Sequence, residues 1–233
     1  MSFEGRNVLI TGAAGRLGQA VGEAFAEQGA RLVLIERHTV TAPATAGNGP
    51  GRITVGADLL DARQTRAAVA TALEQVSRID VLCHLAGGFR MGEAVHETTD
   101  STWNFLTDIN ERTLLNIARV VVPHMIERGG GKIITVASNA ARQGAAYMGA
   151  YSASKSGVIR LTEAMSSELK EQNINVNCVL PTVIDTPENR AAMPDQDPSR
   201  WVSARALADV IVFLASDAAR AVHGAALPVA GLV

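Results

Sequence analysis

The residues Asn7-Val8-Leu9-Ile10-Thr11-Gly12-Ala13-Ala14-Gly15-Arg16-Leu17-Gly18 carry the fold signal. Asn7 to Thr11 reads as a buried β-strand. A helix to about Gln28 follows, ended by Gly29. Between them stand three glycines in a G-x-x-G-x-x-G spacing, a departure from the G-x-G-x-x-G dinucleotide fingerprint. Glycine lets the turn be tight and lets a pyrophosphate approach the backbone, while the helix aims its positive end at that phosphate. A Gly-rich turn can also be purely structural. Its place between a strand and a helix favours nucleotide binding, which makes Gly12, Gly15, Arg16, Leu17 and Gly18 candidate cofactor residues.

Outward from this turn, short β-branched runs alternate with longer amphipathic segments. Strands are expected at Arg31–Glu36, Arg52–Ala57, Asp80–Ala86, Lys132–Ser138, Asn175–Leu180 and Ala226–Val229. Helices are expected from Asp61 to about Ser77, over Ser101–Arg128, Tyr151–Gln172 and Ala204–Ala215. His38–Gly51 is rich in Thr, Ala, Gly and Pro and reads as a loop; Thr186–Trp201 reads as a polar surface excursion. Strands apolar on both faces and separated by helices imply an α/β fold. It is a doubly wound parallel sheet of about seven strands, with helices on both faces. Residues 1–233 are expected to form a single domain, with a substrate loop around 186–203.

Composition narrows the function classes. The net charge is −2 with both signs dispersed, which gives no basic footprint for nucleic acid or an anionic membrane. Aromatics make up 4%, too few for single-strand stacking platforms. No apolar run is long enough to span a bilayer, and Met1–Arg6 lacks the apolar segment of a signal peptide. Cys83 and Cys178 sit in apolar runs and read as buried free thiols in a reducing, cytoplasmic setting. The five histidines show no metal-ligand spacing, so no metal site is expected.

Two further features bear on chemistry. Glu36 ends the second strand, where an acid accepts hydrogen bonds from adenine-ribose hydroxyls and repels a 2′-phosphate. That favours NAD(H); Arg16 and Arg37 leave NADP(H) open, since either guanidinium could pair with the phosphate. Tyr151-Ser152-Ala153-Ser154-Lys155 opens a helix, and a spacing of four places Tyr151 and Lys155 on one face. An ammonium beside a phenol is expected to lower its pKa from about 10, making it a proton donor to a ketone. Alone, Y-x-x-x-K is weak, because a surface lysine and a core tyrosine give the same pattern. Ser138, at the sheet edge where ligands bind, raises its weight.

In this order the chain resembles the short-chain dehydrogenase/reductase family over essentially its whole length. The resemblance rests on Thr11–Gly18, Asp58-Leu59, Ala86-Gly87, Asn110, Ser138, Tyr151–Lys155 and Pro181–Thr186. It implies a Rossmann-type fold and an NAD(P)(H)-dependent oxidoreductase that moves hydride to or from a carbonyl or alcohol carbon. By position, Tyr151 would be the acid/base, Lys155 would hold the nicotinamide ribose, Ser138 would position the carbonyl, and Asn110 would hold a relay water. Asp58 and Leu59 would meet the adenine. Ala86, Gly87, Pro181, Ile184 and Thr186 would complete the cofactor site. Read singly, Asp58 and Thr186 could be helix caps and Asn110 a polar helix-surface residue.

The chain departs from the family's pattern at His84-Leu85, where Asn-Asn is common, so the local strand tie needs another device. Pro181-Thr182 replaces a usual Pro-Gly and stiffens that turn. The glycine turn and Val179–Arg190 are locally similar to the NADH-preferring dihydropteridine reductases, so a quinonoid dihydropterin is an alternative substrate. A dinucleotide-sensing protein without catalysis is the alternative outside enzymology. Phe89, Met91, Met148, Met193 and Trp201 are either an apolar pocket or routine packing, and Tyr147 reads as pocket wall. Apolar faces carrying Leu114, Ile117, Val121, Val158 and Leu161 suggest a homodimer or homotetramer, unless they only cover the sheet.

Overall fold

A computed structural model describes residues 1–37 and 51–233. The loop expected at His38–Gly51 therefore lies outside the described residues except for Gly51. In chain order the strands are β1 (Asn7–Thr11), β2 (Arg31–Glu36), β3 (Arg52–Gly56), β4 (Val81–His84), β5 (Gly131–Val136), β6 (Ile174–Pro181), β7 (Ile184–Asp185), β8 (Val202–Ser203) and β9 (Ala226–Val229). The α-helices are α1 (Arg16–Glu27), α2 (Ala62–Val76), α3 (Asp100–Thr107), α4 (Thr113–Glu127), α5 (Gly149–Leu169), α6 (Pro187–Ala192) and α7 (Ala204–Ala215).

Seven strands form one parallel sheet in the order β3-β2-β1-β4-β5-β6-β9. β1, β4 and β6 are buried along their whole lengths, as strands covered on both faces must be. α1 and α7 seal one face, packing Val21, Phe25, Leu207 and Ile211 against β1. α2 and α4 seal the other, where Val69, Ile117, Val121 and Met125 meet Leu82 and Ile133. The strand order reverses between β1 and β4, and such a switch point opens a crevice at the carboxyl ends of the strands.

Local chemistry sets the helix ends. Asp61 accepts from the Arg63 and Gln64 N–H groups to start α2, so the cap is Asp61 and not Asp58. Gly29, at φ +86°, turns the chain out of α1 in the left-handed region that glycine tolerates best.

The single helix expected over Ser101–Arg128 is two helices joined by a π-helical turn, Asp108–Arg112. Such turns recur at functional sites, and this one carries Asn110. The excursion after β6 is pinned at its base by the small parallel pair of β7 and β8, which the sequence reading did not anticipate.

Of the apolar residues on α4 and α5, Leu114, Ile117, Val121 and Val158 are at most 2% exposed and pack within the chain, whereas Leu161 is half-buried. Trp201 is also buried and is a packing residue, whereas Phe89 and Met91 are exposed. Cys83 and Cys178 are buried free thiols, as expected. No helix among the described residues is long and apolar enough to cross a membrane.

Candidate active site

At the switch point a cavity of about 190 Å³ is lined by Gly12, Glu36, Asp58, Leu59, Ala86 and Gly87, together with Arg37 and Thr113. Six of the expected cofactor residues thus share one crevice. The glycine turn closes on itself. A methyl group on Gly18 would collide with the Gly12 carbonyl oxygen and lie 2.6 Å from Ala13 Cα. Gly12 has φ +68°, and a methyl there would meet the Ala86 nitrogen at 3.0 Å. Gly15 caps α1 without a side-chain hydrogen bond, so among the described residues the first-turn N–H groups of Arg16, Leu17 and Gly18 have no side-chain acceptor.

Glu36 folds back to accept from the Ala14 backbone N–H. Burial pushes its carboxyl above the usual range, and the Ala14 and Ala13 N–H groups oppose that rise. Arg37 pairs with Asp58 at 3.4 Å. Arg16 is exposed and reaches toward α6. There Glu188 is held low by its own N–H and the Thr186 hydroxyl first, and by the Arg16 charge last.

The second group lies where β4, β5 and α5 meet. Asn110 is 1% exposed, so it is not a helix-surface residue. Its Oδ1 accepts from Gly88 N–H at 3.0 Å, and its Nδ2 donates to Gly88 O at 3.2 Å and Ser154 Oγ at 3.0 Å. Lys155 Nζ is buried and donates to the Val136 carbonyl at 3.0 Å. A methyl on Gly87 would lie 2.9 Å from Asn110 Oδ1 and 3.1 Å from Lys155 Nζ, so both polar heads converge on that glycine. Ser138 is buried just past β5, which ends two residues earlier than expected, and its Oγ accepts from Ala140 N–H at 3.2 Å.

The electrostatics differ from the expectation in one respect. Burial raises the Tyr151 phenol above its ordinary value, and the hydrogen bond with Ser138 opposes that rise. Lys155 does not pull the phenol down, because burial penalises the ammonium as well and lowers it to about 8. Phe89 stands edge-on to the Tyr151 ring at 4.8 Å and 87°. Tyr147, in a left-handed conformation at φ +62°, accepts from Gly92 N–H at 2.8 Å and ties the two lips of the mouth.

The remaining residues stand around β7. Pro181 is buried at the end of β6. The Ile184 carbonyl accepts from Asn189 Nδ2 at 2.8 Å, and the Thr186 hydroxyl caps α6 through the Asn189 N–H. Thr182 Oγ1 donates to the Ala230 carbonyl at 2.7 Å, which fixes the turn where Pro-Gly was replaced.

Sequence reasoning missed the device that replaces the strand-tying amide. The β1–β4 register sets Thr11 beside His84. Thr11 Oγ1 lies 2.9 Å from His84 Nδ1 and accepts from Ala86 N–H at 3.3 Å, and Thr113 Oγ1 lies 3.2 Å from His84 Nε2. Burial, with Lys155 nearby, pushes His84 down to about 3, so it serves as a neutral tie between β1, β4 and α4. A histidine inside an apolar strand was the available signal.

Comparison with known proteins adds to this geometry. The short chain dehydrogenase family profile matches residues 6–197. An uncharacterized short-chain type dehydrogenase/reductase of Sinorhizobium fredii is 32% identical, covering 99% of this chain and 98% of that one. The 3-ketoacyl-(acyl-carrier-protein) reductase from Brucella melitensis, complexed with NADH, superposes with a TM-score of 0.89 at 29% identity, covering 99% and 98% of the two chains. Carveol dehydrogenase from Mycobacterium avium, in complex with NAD, gives 0.86 at 29% identity, covering 98% and 97%.

Proposed function

The chain belongs to the short-chain dehydrogenase/reductase family of oxidoreductases, and from that premise we propose that it moves hydride between NAD(H) and a carbonyl or alcohol carbon, with Tyr151 as acid/base. The observation that carries this reading is the convergence of Asn110 and Lys155 on Gly87, beside the Tyr151–Ser138 pair and on the edge that bears the crevice.

A dinucleotide fits the residues present. The uncapped start of α1 offers N–H groups to a pyrophosphate, and the crevice has room beside Glu36 and Asp58. Gly12, Gly15, Arg16, Leu17 and Gly18 would hold the phosphates. Glu36, Asp58 and Leu59 would hold the adenosine, and Ala86, Gly87, Pro181, Ile184 and Thr186 the nicotinamide half. When bound, the dinucleotide supplies or receives the hydride.

The protein's own residues handle the proton. Tyr151 donates to the oxygen of a ketone, and Ser138 orients that oxygen. Lys155 has spare N–H donors beyond its bond to Val136, which suit the ribose hydroxyls of the cofactor. Asn110 would hold a water that refills Tyr151 by way of Lys155. Phe89 shields the Tyr151 ring and would limit the substrate to one side. Residues 1–233 act as one domain, with 186–203 as the substrate loop.

Two features favour NAD(H) over NADP(H). Glu36 lines the crevice, where its carboxylate would face the adenosine ribose, and Arg37 is already engaged by Asp58. NADH should bind at least ten-fold more tightly than NADPH; a titration with the reverse preference would shift the assignment to Arg16 and Arg37.

The test of the reaction is Tyr151→Phe, screened with ketones and a quinonoid dihydropterin. General-acid loss should lower kcat by about 10²–10⁴-fold while NADH affinity stays within about three-fold. Near-normal turnover would remove Tyr151 from the reaction. NADH binding by the wild type with no turnover across the panel would point to a sensor.

A further inference from the structure

A larger cavity, of about 380 Å³, lies at the opposite edge of the sheet, where β1, β5 and β6 begin. Its size falls within the range of small-molecule sites. Among the described residues the charged side chains around it are Arg6, Arg78, Lys132, Lys170 and Arg220 against Asp80 and Asp217, on a chain whose net charge is −2. Both carboxylates are already committed. Asp80 pairs with Arg78 at 2.6 Å and accepts from the Asn7 N–H at 2.8 Å, and Asp217 pairs with Arg6 at 3.1 Å. Among the described residues, no carboxylate lies within 4.0 Å of Lys132, Lys170 or Arg220.

Lys132 is the informative member. It is only 8% exposed, and its ammonium donates to a neutral partner, Asn175 Oδ1. That amide is itself fixed, since Asn175 Nδ2 donates to the Arg220 carbonyl at 2.9 Å and the Val222 carbonyl at 3.0 Å. Burial lowers the Lys132 pKa; the nearby Asp217 opposes this and Arg6 adds to it. A buried ammonium without a carboxylate partner is costly in a folded protein and is ordinarily matched by an opposite charge.

We propose that this cavity is a second ligand site, for a phosphate-bearing anion, with Lys132 as its floor and Lys170 and Arg220 as its rim. Phosphoryl oxygens match three separate cations better than one carboxylate does, and an arginine fork suits them. The site opens away from the nucleotide crevice, so both can be filled at once, and it does not depend on the catalytic assignment.

Inorganic pyrophosphate is the probe, titrated by calorimetry into NADH-saturated protein at low and constant ionic strength, with succinate as a dicarboxylate comparison. Binding with a Kd of millimolar or tighter is expected. The Lys170→Ala/Arg220→Ala double variant should weaken it at least ten-fold while leaving kcat unchanged, and both positions are exposed enough to fold normally. Lys132→Met, which keeps the stem volume, should abolish binding if it folds. Absence of binding, or equal binding by the rim double variant, would overturn the site. Succinate binding as tightly as pyrophosphate would overturn its phosphate character.

Discussion

Gly18→Ala separates the glycine turn's geometry from its chemistry. A methyl at this position would sit inside the Gly12 carbonyl oxygen, 2.6 Å from Ala13 Cα and 2.8 Å from Ala13 C, all backbone atoms. Ordinary contacts there begin near 3.4 Å, so the turn must shift by close to an ångström. No side chain can swing away to relieve it. Overpacking of this kind costs about 1–3 kcal/mol, and the upper end applies where only backbone can yield. For a domain of this size each kcal/mol lowers Tm by roughly 2–4 °C, so a fall of about 6–12 °C is expected. The shifted turn also misaligns the N–H groups facing a pyrophosphate. Losing one or two charge-assisted hydrogen bonds, at about 1.5–3 kcal/mol each, weakens NADH binding by at least about ten-fold.

Gly15→Ala is the control, because its methyl would meet only the Gly12 carbonyl oxygen at 3.4 Å, and its φ of −67° suits any residue. It should stay within about 2 °C of the parent Tm, on the scale of a small capping change. Differential scanning fluorimetry and an NADH fluorescence titration read both effects. A Gly18→Ala protein with unchanged Tm and an unchanged Kd for NADH would refute the turn geometry.

Other expectations follow from the buried polar groups. Lys155 has a folded pKa of about 8 against an ordinary 10.5, so between those values the unfolded chain holds a proton the folded one has released. Stability of the dinucleotide-free protein should therefore rise with pH across that window. The gain is about 3 kcal/mol by linkage, and below pH 8 the buried ammonium is a burden. Lys155→Met should flatten that rise in urea denaturation run from pH 7 to 9.5, and an identical slope in both proteins would count against the burial argument. Gly87→Ala would place a methyl between Asn110 Oδ1 and Lys155 Nζ and should cut kcat at least ten-fold with little loss of stability; a fully active variant would mean these groups need no direct approach. His84→Leu removes two buried hydrogen bonds, for about 1–3 kcal/mol. Chemical denaturation at pH 7 should show that loss, and an unaffected midpoint would mean another contact ties β1 to β4.

The architecture was legible because the central strand runs β1, β4 and β6 are buried on both faces, as strands of a doubly covered parallel sheet are. The turn at Gly12–Gly18 fixed where that sheet reverses, and with it the crevice. Three features escaped for related physical reasons. The π turn at Asp108–Arg112 leaves no mark on hydrophobic periodicity, which sees apolar spacing and not one extra residue in a helix. The His84 tie depends on register, since Thr11 and Thr113 are remote in sequence and meet the imidazole only once β1, β4 and α4 are packed. The burial of Leu114, Ile117, Val121 and Val158 within the chain could not be read, because a helix stripe that covers a sheet and one that meets a partner have the same pattern. Tyr151 and Lys155 combine both situations. Their spacing placed them on one face, but the fold decides that both are desolvated, and desolvation reverses the expected shift of the phenol. Burial raises the phenol, so a proton transfer through it would rely on a nearby donor or charge that opposes the rise. Among the described residues the Ser138 side chain opposes that rise, which gives the serine an electrostatic bearing on the phenol as well as a steric one.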